Sequence, residues 1–366
     1  MRNHRVNTPD PSKPIVEQLG RFGPGGSALG AGAASLGQAT AYARALTLAH
    51  YENFSVLSSL VPRDLRDHFA AVYAFCRWAD DLGDETWRLG HGQEGARDAA
   101  RDLLAWWRGL TEDCWLGRAQ HPVFVALRRT AERFALPVSP FLDLIDAFEQ
   151  DQRVTVYQTW DQLLGYCARS ASPVGRIVLM LGGHADTPPN AELYAMSDAT
   201  CTALQLTNFW QDVRRDLLDR SRVYMPVGQT GLGPQELRAM ADRGHDPEAR
   251  VRFIRSLRPL VERTRELFDA GAGLPKRLGG RVGPVVWLLG AGGRAVLGRV
   301  ESIGCATLWR RPRLSGPAKA WLVARAWARA ALAGGRSGDP RAAAAARHAA
   351  APASPSVERD SSGVPA

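Results

Sequence analysis

Two stretches of the chain set aspartates one helical turn apart inside otherwise apolar helical sequence. The first, PRDLRDHFAAVYAFCRWADDLGDE from Pro62, carries Asp80 and Asp84. At 100° per residue, Leu65, Phe69, Val72, Tyr73 and Cys76 form an apolar stripe. Asp80 falls inside that stripe, Asp84 at its edge, and Arg77 projects beside Asp84. The second stretch, AELYAMSDATCTALQLTNFWQDVRRDLLD, brings Gln205, Asn208, Asp212 and Asp216 into one quadrant below Asp198 and Cys201. Leu204, Leu206, Phe209, Trp210, Val213 and Leu217 cover much of its remaining surface. Carboxylates at i,i+4 repel mildly, and carboxylates turned toward a core cost far more unless something positive neutralises them. The chemistry that fits is a hard divalent cation held by one or two carboxylates together with ligand phosphates. Such an ion also makes a diphosphate a good leaving group. Two solvated helix faces would explain either motif alone, but not a shared D-x-x-x-D spacing on two apolar helices.

The elements that must position these residues read as helices almost throughout. From residue 39 to 333, apolar residues recur at three and four and the breaks carry Pro or Gly, so one all-α domain is expected. Pro62 is suited to a first helical turn. Thr159 with Gln162 makes a capping box, and Pro173 should bend the helix that follows. Residues 1–38, rich in Gly and Pro, are expected to be a flexible lead-in, and the Ala/Pro/Ser-biased residues 334–366 a disordered tail.

Composition narrows the function classes. Eleven Trp, 11 Phe and 7 Tyr require a substantial core, which excludes a wholly disordered chain. The five cysteines are scattered without a C-x-x-C pair, pointing to reduced thiols rather than a disulfide framework or zinc knuckle. A net charge of +9 favours anionic partners, yet the arginines are spread rather than clustered, so no nucleic acid is expected. The most apolar stretch, Pro284 to Leu297, is short and broken by Arg294, and no secretory signal follows Arg2 and Arg5. A cytoplasmic protein is expected, peripheral at most to the inner face of the membrane, with no amphipathic anchor standing out. The string GAGGRA at 290–295 fits a dinucleotide fingerprint superficially, but no βαβ pattern surrounds it and Glu301 is too near, so helix is expected and no NADPH.

With its motifs in order, the chain resembles the squalene and phytoene synthase family, the head-to-head prenyl synthases, over about residues 40 to 310. HYENFSV at 50–56, YAFCRWADDLGDE at 73–85, YCARSASPVG at 166–175 and LQLTNFWQDVRRDLLDRSRVYMP at 204–226 carry the resemblance. It implies the isoprenoid synthase fold, a bundle of helices around an apolar tunnel, with three Mg²⁺ ions and diphosphate between the aspartate motifs. Position by position, Asp80, Asp84, Asp212 and Asp216 would hold metal with Asn208 nearby. Arg77, Arg222 and Tyr224 would contact or position diphosphate. Tyr73, Phe54 and Gln205 would line the reacting end, where aromatic faces can stabilise a carbocation. For Tyr73 and Phe54 plain core packing stays open, and for Arg77 a local pair with Asp80.

The departures are informative. Relatives often carry Ser-x-Ser-Phe where this chain has His50-Tyr51-Glu52-Asn53-Phe54, and Arg where it has Gln211. The combination resembles the hydroxysqualene synthases of bacterial hopanoid synthesis. That resemblance implies ionisation of presqualene diphosphate, capture of water and release of hydroxysqualene. The substrate would be handed over by a condensing enzyme, and a flavoenzyme would consume the product. His50 and Asn53 are candidates to hold the water. Condensation of two farnesyl diphosphates, or phytoene synthesis, stays open as the alternative, as does a non-catalytic basic helical binding protein.

Overall fold

Tyr42 and Leu46 on one helix, and Ala71, Phe75, Trp78 and Leu82 on another, recur at helical spacing and are fully buried. The Trp78 indole donates to the Tyr42 hydroxyl at 2.8 Å, so the polar ends of both rings are satisfied inside the core. These helices belong to a computed structural model that describes residues 10, 13–26, 34–50, 60–89 and 92–334. The longer helices in chain order are α1 (Ile15–Phe22), α2 (Leu36–His50), α3 (Arg66–Asp84), α4 (Gly92–Trp115), α5 (Pro122–Phe134), α6 (Ser139–Asp151), α7 (Trp160–Ser170), α8 (Ser172–Leu181), α9 (Ala191–Asp219), α10 (Pro234–Ala241), α11 (Pro247–Ala270), α12 (Gly279–Ser302) and α13 (Gly316–Gly334). Among the described residues there is no strand, only an isolated parallel bridge between Val156 and Val223. The all-α expectation holds.

Local expectations meet mixed outcomes. The Thr159–Gln162 capping box is present at the start of α7. At Pro173 the chain breaks rather than bends: Ala171 leaves helical geometry and α8 starts with Pro173 in its first turn. Pro62 opens a turn, and the helix proper begins only at Arg66. Residues 290–295 lie within α12, as read. In place of a uniformly flexible lead-in, residues 15–22 form α1, whose Ile15 and Phe22 are buried in the core. Residues 335–366 lie outside the described residues.

The apolar residues gather into two clusters. One is centred on Phe75, Trp78, Trp107, Phe124 and Phe141, where Trp78 and Trp107 stack with ring centroids 5.3 Å apart. The other is centred on Trp210, Phe253, Leu257 and Val261, where the Trp210 indole donates to Thr264 at 2.8 Å. Helix α3 is rooted in the first cluster and the acidic half of α9 in the second. The two helices share no extensive packing; α9 packs mainly on α8, α11 and α12. The aspartate motifs are therefore held on separate supports with a separation between them.

The end of α11 shows how closely α9 is gripped. A Cβ at Gly271 would sit 2.9 Å from the backbone carbonyl of Met196 and collide with the Thr200 hydroxyl. Backbone cannot retreat from the intrusion, so Gly271→Ala is expected to destabilise by about 1–3 kcal/mol. Thermal unfolding checks this; an unchanged melting temperature would show that the α9–α11 junction is slack.

Candidate active site

On α3, Phe69, Tyr73, Cys76, Arg77, Asp80 and Asp84 share one face, and all six are half-buried. The fully buried side of the helix is the opposite one, built on Phe75, Trp78 and Leu82. This corrects the sequence reading of the stripe from Leu65 to Cys76 as the core face: only Leu65 and Val72 of it are buried, and Phe69 and Cys76 pack against the core half-buried. Asp80 therefore lies on the partly exposed side of the helix rather than in the core, and its side chain keeps 46% exposure. Its carboxyl is nonetheless pushed up to about 6, first by the protein around it and then by the negative charge of Asp84.

For Arg77, read as a diphosphate contact, a local pair with Asp80 had stayed open, and that pair is present. The structure places its closest contact on Asp81, one turn on, with Asp80 at 3.7 Å and Glu85 at 4.0 Å. Asp81 is 1% exposed and was not singled out from sequence. Burial raises its carboxyl to about 7 in spite of Arg77. One Asp81 oxygen and the Arg77 Nε are buried without hydrogen-bond partners.

On α9, Asp198, Cys201, Gln205, Asn208, Asp212 and Asp216 fall on one face, as read from the wheel. Gln205 is half-buried, Asn208 exposed and Asp216 buried. Asp212 departs from helical geometry with φ −108° and ψ 16°. At the same point Arg311 grips Asp212 through two nitrogens, one of them 3.0 Å from Oδ2. Gln211 donates to the Pro312 carbonyl at 2.7 Å. The Gln211 amide thus fastens the segment after α12 to the kink.

The two motifs meet through the turn that ends α9. Ser221 adopts a positive φ of 54°, and the Arg222 amide donates to the Asp216 carbonyl at 2.8 Å. This turn aims two arginines at α3. Arg220 contacts Asp84 at 3.0 Å and Asp216 at 3.7 Å, so one guanidinium bridges the two aspartate motifs. Arg222 lies 3.1 Å from Asp84 and 3.5 Å from Asp151. Burial lifts the Asp216 carboxyl to about 7 and that of Asp151 to about 6, with Arg220 and Arg222 as the main opposing charges.

Behind this turn stands an aromatic wall. Tyr224 lies flat on Phe209 with centroids 3.7 Å apart, and Tyr157 and Tyr166 pack around it. Tyr166 donates to Asp151 at 2.9 Å, leaving the other Asp151 oxygen buried and unpartnered. Val223 and Val227 donate to the carbonyls of Thr155 and Tyr157 at 2.7 and 2.9 Å. Tyr224, expected beside the diphosphate, is buried in this wall and supports the turn. Tyr73 sits on the α3 face described above. The His50 side chain, Asn53 and Phe54 lie outside the described residues.

Sequence reasoning missed Asp81, Asp151, Tyr166, Arg220 and Arg311. Arg220 and Asp81 had a local signal, lying four residues after Asp216 and Arg77. Among the described residues no three His, Cys, Asp or Glu side chains converge closely enough to hold a metal by themselves. All the acidic donors offer oxygen, and several carry charge that the arginines leave under-compensated. That set suits a hard cation shared with a phosphorylated ligand, not a thiolate or imidazole metal.

Fold and site together define an all-α protein whose two aspartate helices converge on one basic turn. The squalene/phytoene synthase family model matches residues 47–318, and the chain belongs to that family. It is 36% identical over 177 residues to a hydroxysqualene synthase of Zymomonas mobilis, covering 48% of this chain and 54% of that protein. It is 30% identical over 227 residues to a hydroxysqualene synthase of Sinorhizobium fredii, covering 61% and 70%. The match thus spans about half the length of the Zymomonas relative. A crystal structure of squalene synthase HpnC from Alicyclobacillus acidocaldarius aligns with TM-score 0.63 at 40% identity, over 75% of this chain and 98% of that one.

Two outcomes are expected from this geometry. Arg222→Leu strips the buried Asp151 and Asp84 of a cation and should destabilise the fold by about 3–5 kcal/mol in urea denaturation. A loss below about 1 kcal/mol would show that Arg222 is not what holds these carboxylates. A carboxyl held above its unfolded value favours the folded state while protonated. That contribution is intact below about pH 4 and is lost as pH rises through 6 and 7, where Asp80, Asp151, Asp81 and Asp216 titrate. The protein without divalent cations should therefore melt at a higher temperature near about pH 5 than near about pH 8. A melting temperature that rises over this range would contradict the assignment.

Proposed function

We propose that the chain is a hydroxysqualene synthase, an enzyme that ionises presqualene diphosphate and captures the cation with water. The observation that carries the reading is the Arg220 bridge between Asp84 and Asp216, which joins both aspartate motifs to one cationic turn. Asp80 and Asp84 from α3, with Asn208, Asp212 and Asp216 from α9, would hold Mg²⁺, three ions with substrate bound. Bound Mg²⁺ supplies neutralisation of the diphosphate as it departs.

The chain's own residues do the rest. Arg77, Arg220 and Arg222 would receive diphosphate oxygens by charge-assisted hydrogen bonds. The Tyr73 ring, on the same helix face as Asp80, faces the developing carbocation and stabilises it through its quadrupole. Gln205, on the acidic face of α9, and Phe54 would share that role. His50 and Asn53 position the water. In balance, the carbon–oxygen bond to diphosphate breaks, the cyclopropyl cation rearranges, water oxygen bonds to carbon and one proton leaves. No electron pair is needed from NADPH in this reaction. Support for this substrate comes from two relatives named hydroxysqualene synthase and from Gln211, which adds no cation for a second prenyl diphosphate.

The test is product analysis by gas chromatography and mass spectrometry with purified protein and Mg²⁺. Presqualene diphosphate and farnesyl diphosphate are supplied separately, each with and without NADPH. Hydroxysqualene from presqualene diphosphate, indifferent to NADPH, is the expected result, and Asp84→Asn should lower its rate by about a hundredfold or more. Presqualene diphosphate accumulating from farnesyl diphosphate would replace this reading with the condensing one. NADPH-dependent squalene would overturn the water-capture step.

A further inference from the structure

The last helix, α13, is built unlike the rest of the surface. Its inner side is anchored: Leu322 and Ala326 are buried, and Ala326 belongs to the first core cluster. Its outer side carries Trp321, Trp327 and Leu332 at 57%, 47% and 73% exposure. At 100° per residue these three bracket Ala320, Ala324, Ala328 and Ala331, so the exposed arc holds no charge across more than a quarter of the circumference. Two bulky indoles left in water on one face are uncommon on a soluble protein and mark a contact surface.

Charge identifies the partner. From Ser302 to Gly334 the chain has no Asp or Glu, while Arg310, Arg311, Arg313, Lys319, Arg325 and Arg329 are cationic. Arg325 and Arg329 border the apolar arc. Arg325 lies 4.5 Å from the Trp321 ring centroid and Arg329 4.6 Å from that of Trp287, which holds both guanidinium groups at the rim. Beside Leu332, a cleft of about 350 Å³ opens between α12 and α13, with Lys276 and Arg329 on its walls. An apolar arc with indoles, rimmed only by cations, matches the interface of an anionic bilayer. The rings reach the acyl boundary and the guanidinium groups reach phosphates. No helix among the described residues is long and apolar enough to cross a membrane, so α13 would lie along the surface. The family match ends at residue 318, near the start of this helix.

The geometry points to α13 as a membrane-docking helix that seats Trp321, Trp327 and Leu332 in an anionic phospholipid surface with Arg325 and Arg329 on its phosphates. The sequence alone offered no such anchor, because its apolar arc is mostly alanine and the indoles stand six residues apart. The proposal rests on this surface and is independent of which prenyl diphosphate the site takes.

The test is flotation of the full chain with vesicles of phosphatidylcholine alone, and of phosphatidylcholine and phosphatidylglycerol in equal parts. Flotation with the anionic vesicles only, reversed by high salt, is the expected result. Trp321→Ala with Trp327→Ala should lower the bound fraction by about tenfold. A second variant, Ala324→Glu with Ala328→Glu, keeps every buried contact and should abolish binding by repulsion. Circular dichroism verifies that both variants stay helical. Failure of the wild-type chain to float with anionic vesicles, or flotation unmoved by either variant, overturns the proposal. A dimer seen by light scattering that the tryptophan variant dissolves would give this face to a second copy, and also overturns it.

Discussion

Everything at the centre of this protein depends on keeping several carboxylates close together without water enough to screen them. Asp84, Asp216 and Asp151 come from three helices, and unaided they would drive those helices apart. The turn after α9 answers the problem with two guanidinium groups on alternate residues, Arg220 and Arg222, which reach all three. Arg77 does the same for Asp81 on α3. Compensation is incomplete, since the carboxyls of Asp81 and Asp216 still stand near 7. A site left short of positive charge in this way is primed for cations that arrive with the ligand.

The fold serves that arrangement by giving each acidic helix its own anchorage. Stacked indoles hold α3, and the Trp210–Thr264 contact and the close approach of Gly271 hold α9. Each helix finds its main packing partners away from the other. The aromatic wall of Tyr157, Tyr166, Phe209 and Tyr224 fixes the basic turn from behind, while Gln211 and Arg311 tether the Asp212 kink from outside. The site is backed on both sides by packed side chains.

The sequence made the helices and both aspartate motifs legible because periodicity and spacing are local properties. It placed Gln205, Asp212 and Asp216 on one face correctly, and found the cap at Thr159. It misjudged which side of α3 was core. The alternating Ala and aromatic residues from Ala71 to Leu82 are as periodic as the stripe chosen, and only the neighbours decide between two apolar faces. Asp151 carried no signal, since its relation to Arg222 exists only after about seventy intervening residues have folded, and Tyr166 acts through Asp151. Helix α1 was hidden by averaging: Ile15, Leu19 and Phe22 keep helical spacing inside a segment dominated by Gly and Pro.

The central claim is that the two motifs form one cation-dependent diphosphate site. Calorimetric titration of inorganic pyrophosphate tests it directly, with and without Mg²⁺, on the wild type, Asp84→Asn, Asp216→Asn and the double variant. The account predicts binding only with Mg²⁺, and losses in the single variants that do not add in the double one. Pyrophosphate binding indifferent to Mg²⁺, or losses that add as for independent sites, would contradict it.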